Sequence, residues 1–263
     1  MVSCAILFTF LALTFRLLSG KFDNKMNPKI DKQITKTTSI SIIGVSSEID
    51  LDTGLWAINW FDTKRKWLYN LYTLLAAPLV IKVGGGLVFK GQHLEKLAGE
   101  DNDARKILLV VKYPSANHFF DLLAFKFFLL LSVLRVMAVE KFVFGFSKRI
   151  KIERSFKDRK SKGSPCLVHH FRGNKDISID LQNLTNAAAE KGINLAYAGT
   201  KAATLQRTVD GKGTVDVPFI MDGIIVFEGD NRSDLQVFYE REIYQQFIGN
   251  VANSYVAVFE KLA

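Results

Sequence analysis

Apolar and polar positions run through the same order twice along this chain of 263 residues. In each copy the pattern predicts a strand, a helix, two strands, a second helix and a last strand. Leu108 of the first copy aligns with Ile224 of the second, and upstream the offset shifts by one residue, so that Gly84 aligns with Gly199. An internal repeat of this kind indicates one structural unit used twice. The apolar positions that align downstream are Phe119 with Leu235, Leu122 with Phe238, Phe127 with Ile243, Leu131 with Phe247, Val139 with Tyr255, and Phe142 with Val258.

In the first copy, proline and glycine are expected to separate the elements. Pro78 should end the first helix, because proline has no N–H group to donate. Gly84, Gly85 and Gly86 should form a turn after the second strand, since they lack the Gly-Lys-Ser/Thr ending of a phosphate-binding loop. We therefore predict strands at residues 55–61, 79–83, 107–113 and 139–146, and helices at residues 63–77 and from Pro114 to about Arg135.

In the second copy, Gly192 stands at the position that closes a helix. Ser233 and Gln236 have the spacing of a capping box, with Ser233 as N-cap. Asp210 and Gly211 predict a turn between the second and third strands. The predicted strands are residues 166–171, 193–198, 219–228 and 254–260, and the predicted helices are residues 178–191 and 233 to about 248.

Both copies have the β-α-β-β-α-β order of a ferredoxin-like unit. Residues 108–111 and 224–227 are apolar at consecutive positions, so both faces of these strands should be buried. One face of each sheet packs on its helices, and the sheet of the other copy can cover the second face. The sequence therefore predicts an α+β fold in which two units pair sheet to sheet within one chain.

A short segment after the third strand carries a family resemblance. Residues 113–116 (Tyr-Pro-Ser-Ala), followed by Phe119 and Phe120, resemble a segment of dimeric α/β-barrel proteins and are similar to a bacterial family of unknown function in that superfamily. Residues 227–230 (Phe-Glu-Gly-Asp) take the same place in the second copy, although Gly-Asp departs from Pro-Ser. The resemblance covers residues 55–262 and implies an intramolecular dimeric α/β barrel. The superfamily includes haem-degrading and quinone-forming monooxygenases and muconolactone isomerase-like enzymes; they share the fold and no catalytic residue set, so no catalytic residue transfers.

Composition divides the chain into five predicted parts. They are an N-terminal membrane anchor or signal segment with an apolar helix (residues 1–20), a tether (21–54) with an apolar patch at residues 40–45 that could add one strand, the first ferredoxin-like unit (55–146), a basic linker (147–165) and the second ferredoxin-like unit (166–263).

The N-terminal apolar run leaves three interpretations open. Residues 2–18 are at the lower length limit for a membrane span, and lysines follow them, which favours an uncleaved anchor with the bulk of the chain in the cytoplasm. A cleaved signal peptide lacks a basic start and a good cleavage site here. In the third interpretation the segment does not enter a membrane; this interpretation includes the case in which Met26 is the true start.

The chain has a net charge of +9, and the linker carries much of it. We expect a solvated tether there, or contact with anionic lipid through Lys148, Arg149, Lys151 and Arg154. RNA binding by a unit of this topology would require stacking aromatics on the central strands, and these strands carry Leu, Ile and Val instead. No nucleic-acid partner is therefore predicted.

Candidate chemistry is sparse. His169 and His170 lie on one predicted strand, so their side chains should point to opposite faces, one of them into the space between the sheets. That histidine could act as a general base, although a histidine satisfied within the core is the simpler interpretation. Tyr197 and Arg207 are candidates for a pocket mouth and ligand binding. Adjacent strand residues cannot share one metal, and Cys4 and Cys166 provide neither a disulfide framework nor a metal site, so we predict no metal and no cofactor.

Two functional hypotheses follow. In the first, the chain is a membrane-tethered tandem barrel protein that binds a small apolar or aromatic molecule, or a partner. In the second, it is an enzyme of monooxygenase or isomerase type that uses the inter-sheet cavity. The sequence identifies no substrate or reaction.

Overall fold

The computed structural model describes residues 40–43, 54–100, 104–150, 162–173, 177–207 and 222–263, with the backbone alone for 40–43 and 201–207. The first half contains β2 (Leu55–Thr63), α1 (Lys66–Lys82), β3 (Gly86–Ala98), β4 (Ile107–Tyr113), α2 (Ala116–Ala124), α3 (Lys126–Ala138) and β5 (Val139–Arg149). The second half contains β6 (Pro165–Arg172), α4 (Ser178–Ala189), β7 (Asn194–Arg207), β8 (Gly223–Glu228), α5 (Arg232–Glu240), α6 (Glu242–Gly249) and β9 (Asn253–Lys261), and a short strand, β1 (Ile40–Ile43), precedes both halves.

Eight of these strands form a closed antiparallel barrel. Their order around it is β7, β5, β2, β4, β3, β9, β6 and β8, and β8 pairs again with β7. Each half contributes four strands in ferredoxin-like order, and the halves join where β5 pairs with β7 and where β3 pairs with β9. β1 extends the sheet beside the end of β7, where Ile40 pairs with Arg207. The predicted intramolecular dimeric α/β barrel is therefore confirmed, and so is the predicted extra strand.

Strand pairing corrects one part of the repeat alignment. Gly91 pairs with both Leu108 and Lys261, at the point where β3 passes from one half to the other. Gly199 takes the same place in β7, because it pairs with both Ile224 and Arg149. Gly91, rather than Gly84, is therefore the equivalent of Gly199. At Gly91 a Cβ would lie 2.7 Å from the ring of Phe89, so the crossing has no room for a side chain.

Helix α1 does not end at Pro78, as the sequence predicted. It continues through that residue to Lys82, and the predicted strand at residues 79–83 is wrong. Pro78 is exposed, so the carbonyl that loses its helical partner lies on the solvent side. Gly84 then ends the helix with φ +76°, and its N–H donates to the carbonyl of Ile81 at 2.9 Å. The glycine turn thus follows a helix, and β3 occupies the region predicted as an excursion.

The second helix of each half is broken at the same aligned position. The break falls at Phe125 in the first half and at Arg241 in the second. Asn231 is the N-cap of α5, and its side chain accepts from the N–H of Asp234 at 2.9 Å. Ser233, predicted as the cap, lies two residues further in, because Asn231 already accepts from one of the free N–H groups at the helix start.

Side chains pack in separate layers inside and outside the barrel. Along each strand alternate residues face the barrel interior, and the residues between them face the helices of their own half. Inner positions of β2 and β6 include Trp60, Val168 and His170. Within the residues described above, no helix has both the length and the apolar content needed to cross a bilayer. The predicted anchor at residues 1–20 lies outside those residues.

Candidate functional site

The barrel interior contains a stack of two residues that occupy equivalent places in the two halves. Trp60 pairs with Leu108, and His170 pairs with Ile224, which is the aligned partner of Leu108. Their rings stack with centroids 4.1 Å apart and planes at 20°. Both side chains are fully buried. The interior therefore brings one histidine of the predicted pair against a tryptophan from the opposite half.

Tyr255 and His93 extend this stack toward solvent. The Tyr255 ring lies 5.2 Å from the Trp60 ring, and its hydroxyl oxygen is 3.1 Å from Nε2 of His93. The His93 ring also meets the edge of Phe259 at 5.4 Å. His93 is half-buried, whereas Trp60, His170 and Tyr255 have no measurable exposure. Of these four residues, His93 is therefore the one that solvent reaches.

Arg105 lies against the same stack. Its guanidinium carbon is 5.9 Å from the centre of the Trp60 ring, within range of a cation–π contact. Its Nε donates to the carbonyl of Lys141 at 2.7 Å. Lys141 has φ +47° at an irregularity in the pairing of β2 with β5, and this bulge places its carbonyl for Arg105. We call Trp60, His93, Arg105, His170 and Tyr255 the inner cluster.

Burial controls protonation in this region. It lowers the pKa of His170 well below the usual value, and the neighbouring His169 acts in the same direction. Burial also lowers the pKa of His93, although the charge of Asp62 opposes part of this shift. Both inner histidines therefore favour the neutral form near pH 7, and a neutral imidazole can accept a proton.

His169 points to the opposite side of the sheet, into the layer between β6 and the helices. Its Nε2 is 2.9 Å from the hydroxyl of Ser254, and its Nδ1 is 3.3 Å from the hydroxyl of Tyr244. Burial lowers its pKa to about 3. These contacts and the complete burial of the ring give His169 a structural role, and it does not reach the inner cluster.

Tyr197 and Arg207, the two predicted ligand-binding residues, are not placed together as a pocket mouth. The Tyr197 side chain lies inside the barrel, buried, with its ring 6.4 Å from that of Trp56. Burial raises the pKa of its hydroxyl, and the nearby Ser147 acts against that rise. Arg207 lies on β7 opposite Ile40, and the structure describes only its backbone.

Of the four basic residues predicted as a lipid contact, Lys148 and Arg149 belong to β5, while Lys151 and Arg154 fall outside the described residues.

Two further features lie away from the inner cluster. Nζ of Lys261 is 2.9 Å from Oε2 of Glu228, both side chains are buried, and burial raises the pKa of the neighbouring Cys166 thiol. Outside the barrel, a groove of about 540 Å³ lies between α4 and α6 and has a largely polar lining that includes Asn183 and Gln246. In the described part of the chain, no three His, Cys, Asp or Glu side chains are grouped closely enough to hold a metal ion.

Sequence patterns identify only part of the inner cluster. His93 and Arg105 both lie outside the predicted strands, since the second strand was predicted at residues 79–83 whereas β3 covers Gly86–Ala98. Trp60 and Tyr255 lie on predicted strands, but the alignment matched Tyr255 to Val139. Strand pairing instead matches it to Val143, because Trp60 pairs with Val143 as His170 pairs with Tyr255.

Comparisons with known proteins found distantly similar solved structures. No family model matches the chain, and no curated protein does. Among solved structures, the chain is similar to a variant of chlorite dismutase from Candidatus Nitrospira defluvii, with a TM-score of 0.48 and 10% identity over 80% of this chain and 91% of that one. It is also similar to an anthrone oxidase-like protein, with a TM-score of 0.47 and 12% identity over 85% of this chain and 95% of that one. A candidate monooxygenase from Fusobacterium nucleatum subsp. nucleatum has a TM-score of 0.46 and 12% identity, over 80% of this chain and 93% of that one. Likenesses this distant carry no inference about activity.

Proposed function

We propose that the chain binds a small aromatic or apolar molecule at the inner cluster, entering beside His93. The observation that carries this proposal is the composition of the barrel interior. An interior built only for stability would be apolar, because buried imidazole, indole and phenol groups must each be satisfied. Departures of this kind from simple core packing are characteristic of functional sites.

The geometry restricts the ligand's size and shape. Trp60, His170 and Tyr255 are already packed ring against ring, so a large ligand would have to displace several side chains. A flat molecule of one or two rings would need the smallest displacement of these buried rings, and it could then stack edge or face against Tyr255 and Trp60. A single polar group on it could take the hydrogen bond that Tyr255 now shares with His93.

Binding of small aromatic compounds to the full chain tests the proposal. Phenol, indole, 1-naphthol and menadione would be titrated and followed by the melting temperature and by tryptophan fluorescence, since a ligand that binds only the folded state stabilises it. We expect Tyr255→Phe and His93→Gln to weaken binding, and His118→Gln, on the outer helix α2, to leave it unchanged. The proposal fails if no compound shifts the melting temperature, or if all three variants bind like the wild type.

A catalytic role is a second candidate, and the pair of His93 and Tyr255 favours it. A half-buried histidine with a lowered pKa, next to a phenol hydroxyl at 3.1 Å, is suited to take a proton from a bound ligand. This is the isomerase or monooxygenase type of chemistry, with His93 rather than His169 or His170 as the base. In a test with menadiol or 1,8-dihydroxyanthrone and oxygen, product formation lost in His93→Gln but kept in His118→Gln would support it.

Membrane attachment through residues 1–20 is a separate part of the proposal. It rests on the apolar run and on the lysines that follow it. The double variant Leu11→Arg/Leu13→Arg should leave carbonate-washed membranes, since each arginine at the centre of a span costs about 2.5–3.5 kcal/mol. Retention of this variant would contradict an anchor at this segment.

A further inference from the structure

The outer surface of the first half is unusually apolar for a helical layer. On α1, Trp67, Leu74 and Ile81 are spaced seven residues apart, and they are 66%, 70% and 69% exposed. Leu68 and Leu79 of the same helix are buried against the sheet. The helix is therefore apolar on both sides, whereas a surface helix of a soluble domain presents polar residues outward.

Helix α3 repeats the pattern beside α1. Phe128 and Leu131 face the core, while the outer side of the helix exposes a continuous row of apolar side chains. The two helices pack against each other on the same side of the sheet, so their outer rows form one surface. We call this surface the apolar face; its exposed residues are Trp67, Leu74, Ile81, Leu129, Leu130, Val133, Val136 and Met137.

Exposed cations surround the apolar face. Residues 64–66 (Lys-Arg-Lys) precede and begin α1, Lys82 ends it, and Lys126 begins α3. Nζ of Lys82 lies 5.2 Å from the centre of the Phe125 ring, so these cations border apolar side chains directly. Asp121 is the one acidic residue among residues 64–82 and 116–138. An apolar centre with a basic rim matches a membrane that carries anionic headgroups.

We propose that the apolar face docks onto the surface of an anionic lipid bilayer, with α1 and α3 lying in the plane of the interface. Trp67, Leu74 and the α3 row would enter the boundary between headgroups and acyl chains, as the apolar side of an interfacial helix does. The lysines would extend from the rim to lipid phosphates. This contact differs from the predicted anchor at residues 1–20 and from the ligand site inside the barrel.

Charge favours lipid over a second copy of the chain as the occupant. In a symmetric dimer the same patch faces itself, so the basic rim of one copy would lie against the basic rim of the other. Like charges placed together across an interface oppose association, while phosphatidylglycerol or phosphatidylserine supplies the opposite charge. The same rim also brings the chain toward a negative surface before the apolar side chains enter it.

The second half supplies the substitution that tests the docking. Because α3 and α6 begin at aligned residues, Leu129 and Leu130 stand where the second half has Gln245 and Gln246. We expect Leu129→Gln/Leu130→Gln to bind vesicles of phosphatidylcholine and phosphatidylglycerol in equal parts about tenfold more weakly than the wild type. The matched control, Ile179→Gln/Val237→Gln, removes two exposed apolar side chains from the second half and should bind like the wild type.

Fluorescence of Trp67 provides an independent readout on the same full chain. Brominated phosphatidylglycerol should quench part of the tryptophan emission, and Trp67→Phe should abolish that quenched part. Vesicles of phosphatidylcholine alone should bind more weakly.

Three outcomes would overturn the proposal. They are unchanged vesicle binding by Leu129→Gln/Leu130→Gln, equal quenching in Trp67→Phe, and a lipid-free dimer that the double variant converts to a monomer. None of them depends on ligand binding at the inner cluster.

Discussion

The two halves of the barrel share a backbone plan and differ in what their helices present outward. Leu131 and Phe247 are aligned, and both are buried against their sheets. Directly beside them, the outward positions are Leu129 and Leu130 in the first half and Gln245 and Gln246 in the second. The repeat therefore keeps its inward apolar positions, which the barrel requires, while its outward positions fit different surroundings. At these positions the outer surface of the first half fits an apolar partner, and that of the second half fits an aqueous environment.

The halves also differ inside the barrel and in the layer behind it. The equivalent positions hold Trp60 in one half and His170 in the other, and these two residues stack. One residue earlier on each strand, Asn59 faces the helices of the first half and His169 those of the second. At these positions the fully buried imidazoles belong to the second half, so the two halves should respond differently to mutation and to acid.

The largest difference in the stability cost of a mutation is expected at the buried ion pair of Lys261 and Glu228. The first half has no such pair at the equivalent position. Lys261→Met would leave the Glu228 carboxylate buried without its cation, and we expect a loss of about 3–5 kcal/mol in the free energy of unfolding. Lys112 is the aligned counterpart of Glu228 and is exposed. Lys112→Met should therefore change stability by only about 0.5 kcal/mol or less. Urea unfolding of both variants at pH 7 measures the contrast, and equal losses would show that the pair contributes nothing specific.

Acid should weaken the second half through its buried histidines. The pKa of His169 is lowered to about 3 in the folded state, against about 6.5 when unfolded. Its stabilising contribution is therefore complete above pH 6.5 and is lost as the pH falls, by about 1.4 kcal/mol per pH unit down to the folded pKa. His170 contributes in the same direction.

Replacement of His169 by the residue of the first half tests this dependence. His169→Asn should flatten the decline in the free energy of unfolding between pH 6.5 and pH 4.5, whatever its cost at pH 7. Tyr244→Phe removes one hydrogen bond but keeps the buried imidazole, so it should retain the wild-type slope. A slope that is the same in all three proteins would contradict the assignment.

The sequence was sufficient for the fold because apolar periodicity reports which face of each strand is buried. The positions paired as Leu131 with Phe247 and as Leu122 with Phe238 are all buried. The prediction failed at a proline. Proline in the interior of a helix usually ends or kinks it, but Pro78 lies on the exposed side of α1 and the helix continues through it. Predicting a helix end there misplaced β3 and therefore left His93 outside the predicted strands. The Trp60–His170 stack joins residues from opposite halves, and no local pattern encodes that contact.

Loss of a helix cap should also cost different amounts of stability in the two halves, although this difference is smaller. Asn231 caps α5 through the N–H of Asp234, whereas the aligned Ser115 makes no such bond and instead lies 2.8 Å from Nδ1 of His118. Asn231→Ala should cost about 1 kcal/mol, the usual value of an N-cap. Ser115→Ala should cost less than half as much. Thermal unfolding of the two variants measures the difference, and a larger loss at Ser115 would reverse the interpretation.

The smallest effect on stability is expected from substitutions in the apolar face, where the outer surfaces of the two halves differ most. Leu129 and Leu130 are about half exposed, and glutamine is nearly as good a helix former as leucine. Leu129→Gln/Leu130→Gln should therefore alter the free energy of unfolding by about 0.5 kcal/mol or less, while it makes the first half resemble the second. Guanidinium unfolding followed by circular dichroism measures this. A loss of several kcal/mol would mean that the outer row supports the fold itself, and the contrast between the halves would then concern packing rather than their surroundings.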